Sequence, residues 1–390
     1  MTQRINLPEK LFDKTPYNIY QDEHFTVTTM QYDTGVAGLK ISNNRGYIVI
    51  LPFQGFMIWD AVFDQLSLKM ASAFDKPYLG TQVTDTYGMF QFTSGVLASG
   101  TPSETDQHPL HGEYPMTKLD HIYLEFDQDN IIIGGEYEYV KGFGYHYRTH
   151  NTVIMHAASA LHGEYPMTKL DHIYLEFDQD NIIIGGEYEY VKGFGYHYRT
   201  HNTVIMHAAS ALIDIGLKVT NLSNYQTMPL QYLNHLNYCY VNGATMSANV
   251  PENALKLRRS IPAHVKPTAN WRAFNRELQT SGEVIEVLDD GSRFDPEIVY
   301  MSTDLRPFVD RAVFKMSLPD GPTCVTAFST KELPFVTRWL LHNPDQQVAA
   351  FAIPGTSHPD GYNAASQAGT LIHLAAGETQ SFTVTTGIGE

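Results

Sequence analysis

Two histidines stand out by their surroundings. His111 lies in Pro109-Leu110-His111-Gly112-Glu113-Tyr114-Pro115, a loop context in which glycine lets the backbone approach a ligand closely. His235 lies in Tyr232-Leu233-Asn234-His235-Leu236-Asn237-Tyr238, where it shares a strand face with Leu233 and Asn237. An imidazole titrates near neutral pH, so either ring suits proton transfer. Either is equally the kind of histidine that a core absorbs and satisfies. Other constellations carry less. His146 and His150 share a strand face but stand roughly 13 Å apart in extended chain, too far for one metal ion. His108 and His111 lack a third ligand of matching spacing. No Gly-rich loop joins a strand to a helix, and no G-x-S-x-G nucleophile turn occurs. The residues point to acid–base chemistry with no metal and no cofactor.

The loop that holds His111 opens a segment that occurs twice. Residues 110–160 recur letter for letter as residues 161–211, an offset of 51. Structural repeats diverge as each copy fits its own neighbours, so a perfect pair is a tandem duplication rather than a solenoid period. His162 is the twin of His111. Ten of the 17 histidines lie in the two copies, so their abundance marks no cluster. Two copies cannot hold one position in a sheet. One is expected to be integrated, and the other extruded or added at an edge, with self-association through the unpaired strands as a consequence. The upstream loop belongs to the first copy and the downstream strand to the second. His111 is therefore favoured over His162, and a hybrid of one copy's start with the other's end is the alternative.

The elements that must position these histidines read as strands. Ile213, Ile215, Leu217 and Val219 alternate with Asp214, Gly216, Lys218 and Thr220, and Ile122, Leu124 and Phe126 alternate with Tyr123 and Glu125. A strand is expected at Thr152–His156, followed by a turn in Ala157–Ala160. Turn signals are frequent, as at Asn43-Asn44 and Asp360-Gly361. Helical candidates are short, such as Phe63–Ala73. No linker divides the chain. Residues 1–390 are expected to form a single domain, a large antiparallel β-sandwich with few short helices.

Composition narrows the partners. The net charge is −16, of which each copy contributes −4, and no basic block exists. That argues against nucleic acid and against an anionic membrane surface. Two cysteines make neither a disulfide framework nor a zinc pattern. No apolar leader or spanning stretch is evident, so a cytoplasmic location is expected.

Several short stretches, taken in order, carry a resemblance. They are Leu51-Pro52-Phe53-Gln54-Gly55-Phe56-Met57-Ile58-Trp59, then Tyr87-Gly88, Gly95–Pro102 and His111-Gly112-Glu113. Later come Val219-Thr220-Asn221-Leu222-Ser223, Met228-Pro229-Leu230, Asn234–Tyr238 and the closing segment Ala376–Gly387. Together they resemble the aldose 1-epimerase (galactose mutarotase-like) superfamily, and within it a poorly characterised bacterial branch. The resemblance implies a β-supersandwich with a carbohydrate cleft, and an isomerase that interconverts the anomers of a monosaccharide by ring opening. It implies His235 as proton donor to the ring oxygen, with His111 or its twin His162 orienting the sugar. Gln54, Glu113, Asn237, His358 and Asp360 are the expected sugar-contacting residues. The chain departs from the family pattern at two points: Ile353 stands where a glutamate base is common, and Gln54 where an arginine is common. Asp360, Glu113 or His358 could take over the base role. The alternative is a carbohydrate-binding or sensing protein on the same scaffold, and a third reading is a sugar lyase or isomerase with other acid–base residues.

Overall fold

The alternation at 213–219 turns one side of the strand Leu212–Asn221 inward. Ile213, Ile215, Leu217 and Val219 are at most 5% exposed, while Lys218 faces solvent. The same rule builds two large, mostly antiparallel sheets. The computed structural model describes residues 3–118, 121–126, 130–134, 138–141, 176–178, 181–192, 195–259, 266–319 and 321–389. One sheet has at its centre the strands Asn181–Lys192, His197–His207, Leu212–Asn221, Thr379–Gly389 and Thr323–Ser329. The other runs through Ile298–Ser302, Phe335–His342, Gln347–Gly355, Met228–Leu236, Gln91–Val96 and Met57–Phe63. They pack face to face: the Tyr232 ring lies 5.1 Å from that of Phe382, and the Tyr238 hydroxyl is 2.6 Å from that of Thr386. The fold is the mostly-β sandwich expected.

Two helices are described, Ala269–Ser281 and Tyr362–Ala368. Phe63–Ala73 is not helical. Asp64 and Gln65 both take positive φ (51° and 66°), making a two-residue hairpin that joins Phe63 to Leu66. Beyond it Leu68 and Met70 are buried in period two, and Lys69 and Ala71 make bridges to Tyr238 and Gln347. The apolar residues fit a strand as well as a helix, and the turn decides between them.

A second apolar cluster covers the opposite face of the second sheet. It contains Met57, Trp59, Tyr87, Phe92, Leu233 and Ile353, with Trp339, Leu110 and Met116 packed against it. The histidines belong to this face.

Both copies contribute strands to the first sheet. From the first copy, His121–Phe126 pairs with Gln3–Asn6 and with Asn181–Lys192. Asn130–Gly134 and Glu138–Lys141 lie parallel to Asn181–Lys192, so that twins meet: Asn130 opposite Asn181, Glu138 opposite Glu189. The second copy's His197–His207 pairs with Leu212–Asn221 from Tyr198↔Asn221 to Met206↔Ile213. His146, His150, His162 and the expected strand Thr152–His156 lie outside the described residues. Their second-copy equivalents His197 and His201 lie on the outward face, and His197 Nε2 bonds Glu189 at 2.7 Å.

Deleting 51 consecutive residues from any start between Leu110 and Leu161 leaves one and the same sequence of 339 residues. That chain keeps every segment that the site uses. It is expected to fold with a melting temperature no more than about 3 °C below that of the parent. Scanning calorimetry of the two chains checks this, and a shorter chain that fails to fold would show that both copies are needed.

Candidate functional site

Strand pairing places His235. Gln91–Val96 runs antiparallel to Met228–Leu236 with Phe92 opposite His235 and Ser94 opposite Leu233. Directly opposed side chains share a face and touch. The imidazole therefore stacks on the Phe92 ring, centroids 4.6 Å apart at 18°.

His111 arrives by a loop that is zipped onto the end of the same strand. His111 N–H donates to the Gly100 carbonyl at 2.9 Å, Gly95 N–H to the His111 carbonyl at 3.0 Å, and Tyr114 N–H to the Gly95 carbonyl at 3.0 Å. The result sets the His111 ring edge-on to His235, centroids 5.0 Å apart at 85°. Ser94 Oγ lies 3.1 Å from His111 Nδ1 and 2.7 Å from Ser99 Oγ, a buried hydroxyl chain behind the ring. His111 sits at φ 64°, a left-handed conformation rare for a residue with a Cβ, and Gly112 follows at φ 85°. Strained backbone of this kind persists where surrounding contacts over-determine it.

Those contacts come from Glu113 and Tyr114. Glu113 Oε1 accepts from the N–H groups of Val96 (2.9 Å) and Leu97 (3.0 Å) and from the Tyr198 hydroxyl (2.5 Å). The Tyr114 hydroxyl donates to Asn202 Oδ1 at 2.6 Å. The loop belongs to the first copy, while Tyr198 and Asn202 belong to the second. The site is thus a hybrid of the first copy's start and the second copy's end.

Burial governs the electrostatics of His235. Desolvation pushes its pKa down to about 3, and the Asn237 side chain offsets part of the shift. The folded protein holds this ring neutral, whereas the unfolded chain protonates it below about 6.5. Its contribution to stability is complete above that value and is lost as pH falls toward 3, by about 1.4 kcal/mol per pH unit. Urea unfolding at pH 7 and 5.5 is expected to show this loss, and His235→Gln to remove it. An unchanged slope in the variant would refute the assignment.

Sequence reasoning missed the walls of the site. Tyr87 and Trp339 pack edge-on to His235 at 6.5 and 5.7 Å. Trp339 Nε1 donates to Glu297 Oε2 at 2.8 Å, and Glu297 is also paired with Arg258. Glu297 is 8% exposed, and its charge helps hold the Tyr87 hydroxyl protonated after burial itself, the larger cause. Ser94 was accessible from strand alternation once its pairing with Leu233 is known; nothing in the sequence links Glu297 to His235.

The other expected site residues are dispersed. Asn237 is buried beside His235, with Nδ2 donating to the Met89 carbonyl at 3.2 Å. Gln54 is 5% exposed, and its Nε2 donates to the Tyr78 carbonyl at 2.8 Å. Asp360 makes a backbone bridge with Gly100, one layer behind His111. His358 Nε2 is 2.8 Å from the Ser302 carbonyl and its ring packs on Phe335, so its contacts lie apart from the histidine pair. Ile353 is 3% exposed within the apolar cluster. Among the described residues no three His, Cys, Asp or Glu side chains come together as metal ligands, and no helix is long and apolar enough to cross a membrane.

Residues 155–388 match the family described as "Domain of unknown function (DUF4432)". No curated protein resembles the sequence at a significant level. The fold is similar to that of a Klebsiella pneumoniae protein described as a candidate aldose 1-epimerase, with a TM-score of 0.70 at 14% identity, covering 100% of this chain and 91% of that one. It is similar to the Slr1438 protein of Synechocystis, TM-score 0.52 at 13% identity, covering 96% of this chain and 99% of that one. A galactose mutarotase-like protein of Clostridium acetobutylicum gives a TM-score of 0.52 at 10% identity, covering 95% of this chain and 100% of that one. At these identities the likeness concerns the fold.

Proposed function

The chain belongs to the DUF4432 family of domains of unknown function, and from its histidine pair we propose an aldose 1-epimerase-like enzyme that interconverts the anomers of a monosaccharide. The observation that carries the reading is the 5.0 Å approach of His111 and His235, walled by Tyr87, Phe92 and Trp339. Aromatic faces suit the apolar faces of a sugar, and two imidazoles suit a reaction that needs one proton given and one taken.

In the proposed reaction the anomeric hydroxyl loses its proton as the ring oxygen gains one. The bond between C1 and the ring oxygen breaks, the C1–C2 bond turns, and closure returns both protons. Burial favours the neutral form of His235, and we assign it as the proton acceptor in this scheme. His111 is assigned as the donor, with Ser94 Oγ 3.1 Å from its Nδ1. These roles exchange those that the family resemblance implies. Glu297 orients Trp339 by accepting from its Nε1.

A second reading is a sugar-binding protein without turnover. The burial of Ile353 at the position where the family glutamate is expected favours it. Exchange NMR of α and β anomers over a panel of aldoses, paired with calorimetric titration, separates the two. Acceleration over buffer supports the enzyme, binding without acceleration supports the second reading, and neither result leaves either standing.

A further inference from the structure

Arg338 and Trp339 are neighbours on the strand Phe335–His342 and point to opposite faces of the sheet. Trp339 faces the histidines. Arg338 faces the interior with Val336 and Leu340, and is 2% exposed. Its Nη1 donates to the Ile285 carbonyl at 2.7 Å and its Nε approaches the Phe351 carbonyl at 3.4 Å. Among the described residues it makes no ion pair. Burial pulls its pKa down to about 10, which leaves it protonated at neutral pH.

A buried cation is costly when no carboxylate contacts it; Glu286 acts on Arg338 through space without pairing with it, and the guanidinium lines a cavity of about 610 Å³. The cavity lies between the ends of the two sheets. Its walls include Val250, Leu255 and Val284, and the exposed Glu252 and Glu286 stand at its rim. The volume suits a small molecule. A guanidinium fork matches a carboxylate. The two rim carboxylates disfavour a multiply charged anion and accept hydrogen bonds from hydroxyls.

We propose that this cavity is a second ligand site, separate from the histidine pair, for a small hydroxylated monocarboxylate whose carboxylate meets Arg338 and whose hydroxyls meet Glu252 and Glu286. The proposal does not depend on anomer exchange.

Calorimetric titration of the full chain with gluconate, glucose and inorganic phosphate tests it. Gluconate is expected to bind at least about tenfold more tightly than either of the others. Arg338→Gln is expected to remove that binding, and His235→Ala to leave it unchanged. Because Arg338 is buried, its variant could fail to fold. The exposed Glu286→Gln then serves: with one repulsive charge gone, it is expected to narrow the preference for gluconate over phosphate severalfold. Gluconate binding no stronger than glucose binding would overturn the proposal. So would binding that vanishes in His235→Ala, or a gluconate-to-phosphate preference that Glu286→Gln leaves unmoved.

Discussion

Replacement of His235 by alanine is expected to slow protein-catalysed anomer exchange by about 10²–10⁴-fold, the range that a positioned acid or base contributes. The ring is 6% exposed, stacked on Phe92 and edge-on to His111, so its removal leaves space in place of a proton acceptor. Loss of packing adds a stability cost of about 2–3 kcal/mol, partly offset by removal of a buried titratable group. Circular dichroism at the assay temperature separates the two effects. A folded variant with parental exchange rates would remove His235 from the chemistry.

The second large effect is expected at Gly112. An alanine Cβ there would stand 2.1 Å from the Ala98 carbonyl oxygen and 2.4 Å from that of Gly95, and the residue sits at φ 85°. Both neighbours are backbone in the zipped loop, so neither can swing aside as a side chain would. Gly112→Ala is expected to destabilise the fold by about 3 kcal/mol or more and to displace His111 even where the fold survives. Denaturant unfolding gives the first number. A chemical-shift comparison of the imidazole resonances gives the second result. An alanine variant with parental stability and an undisturbed His111 signal would contradict the loop geometry.

Much of the scaffold was legible because period-two burial is a local signal. Ile213, Ile215, Leu217 and Val219 announce their face without reference to any other strand. Phe63–Ala73 was misread because Phe63, Leu66 and Met70 recur at helical spacing while Leu66, Leu68 and Met70 recur at strand spacing, and the two positive-φ residues at Asp64 and Gln65 carry no glycine to betray the turn. His111 and His235 were individually visible by residue type and context. Their meeting depends on the register Phe92↔His235 and on the zipped loop, which are non-local. Glu297 and Trp339 lay beyond sequence reasoning for the same reason. The duplication poses a different problem. Identical copies offer identical local signals, so only partners outside them decide which part is used. Glu113 and Tyr114 find Gly95–Leu97 on one side and Tyr198 and Asn202 on the other, which selects a hybrid.

The most direct test compares His111→Ala with His162→Ala by exchange NMR on a sugar that the parent protein turns over. A single histidine pair, whose loop the first copy supplies, predicts that His111→Ala loses at least about 10²-fold in exchange rate while His162→Ala keeps the parental rate. Loss in His162→Ala with activity retained in His111→Ala, or equal rates in all three proteins, would contradict it.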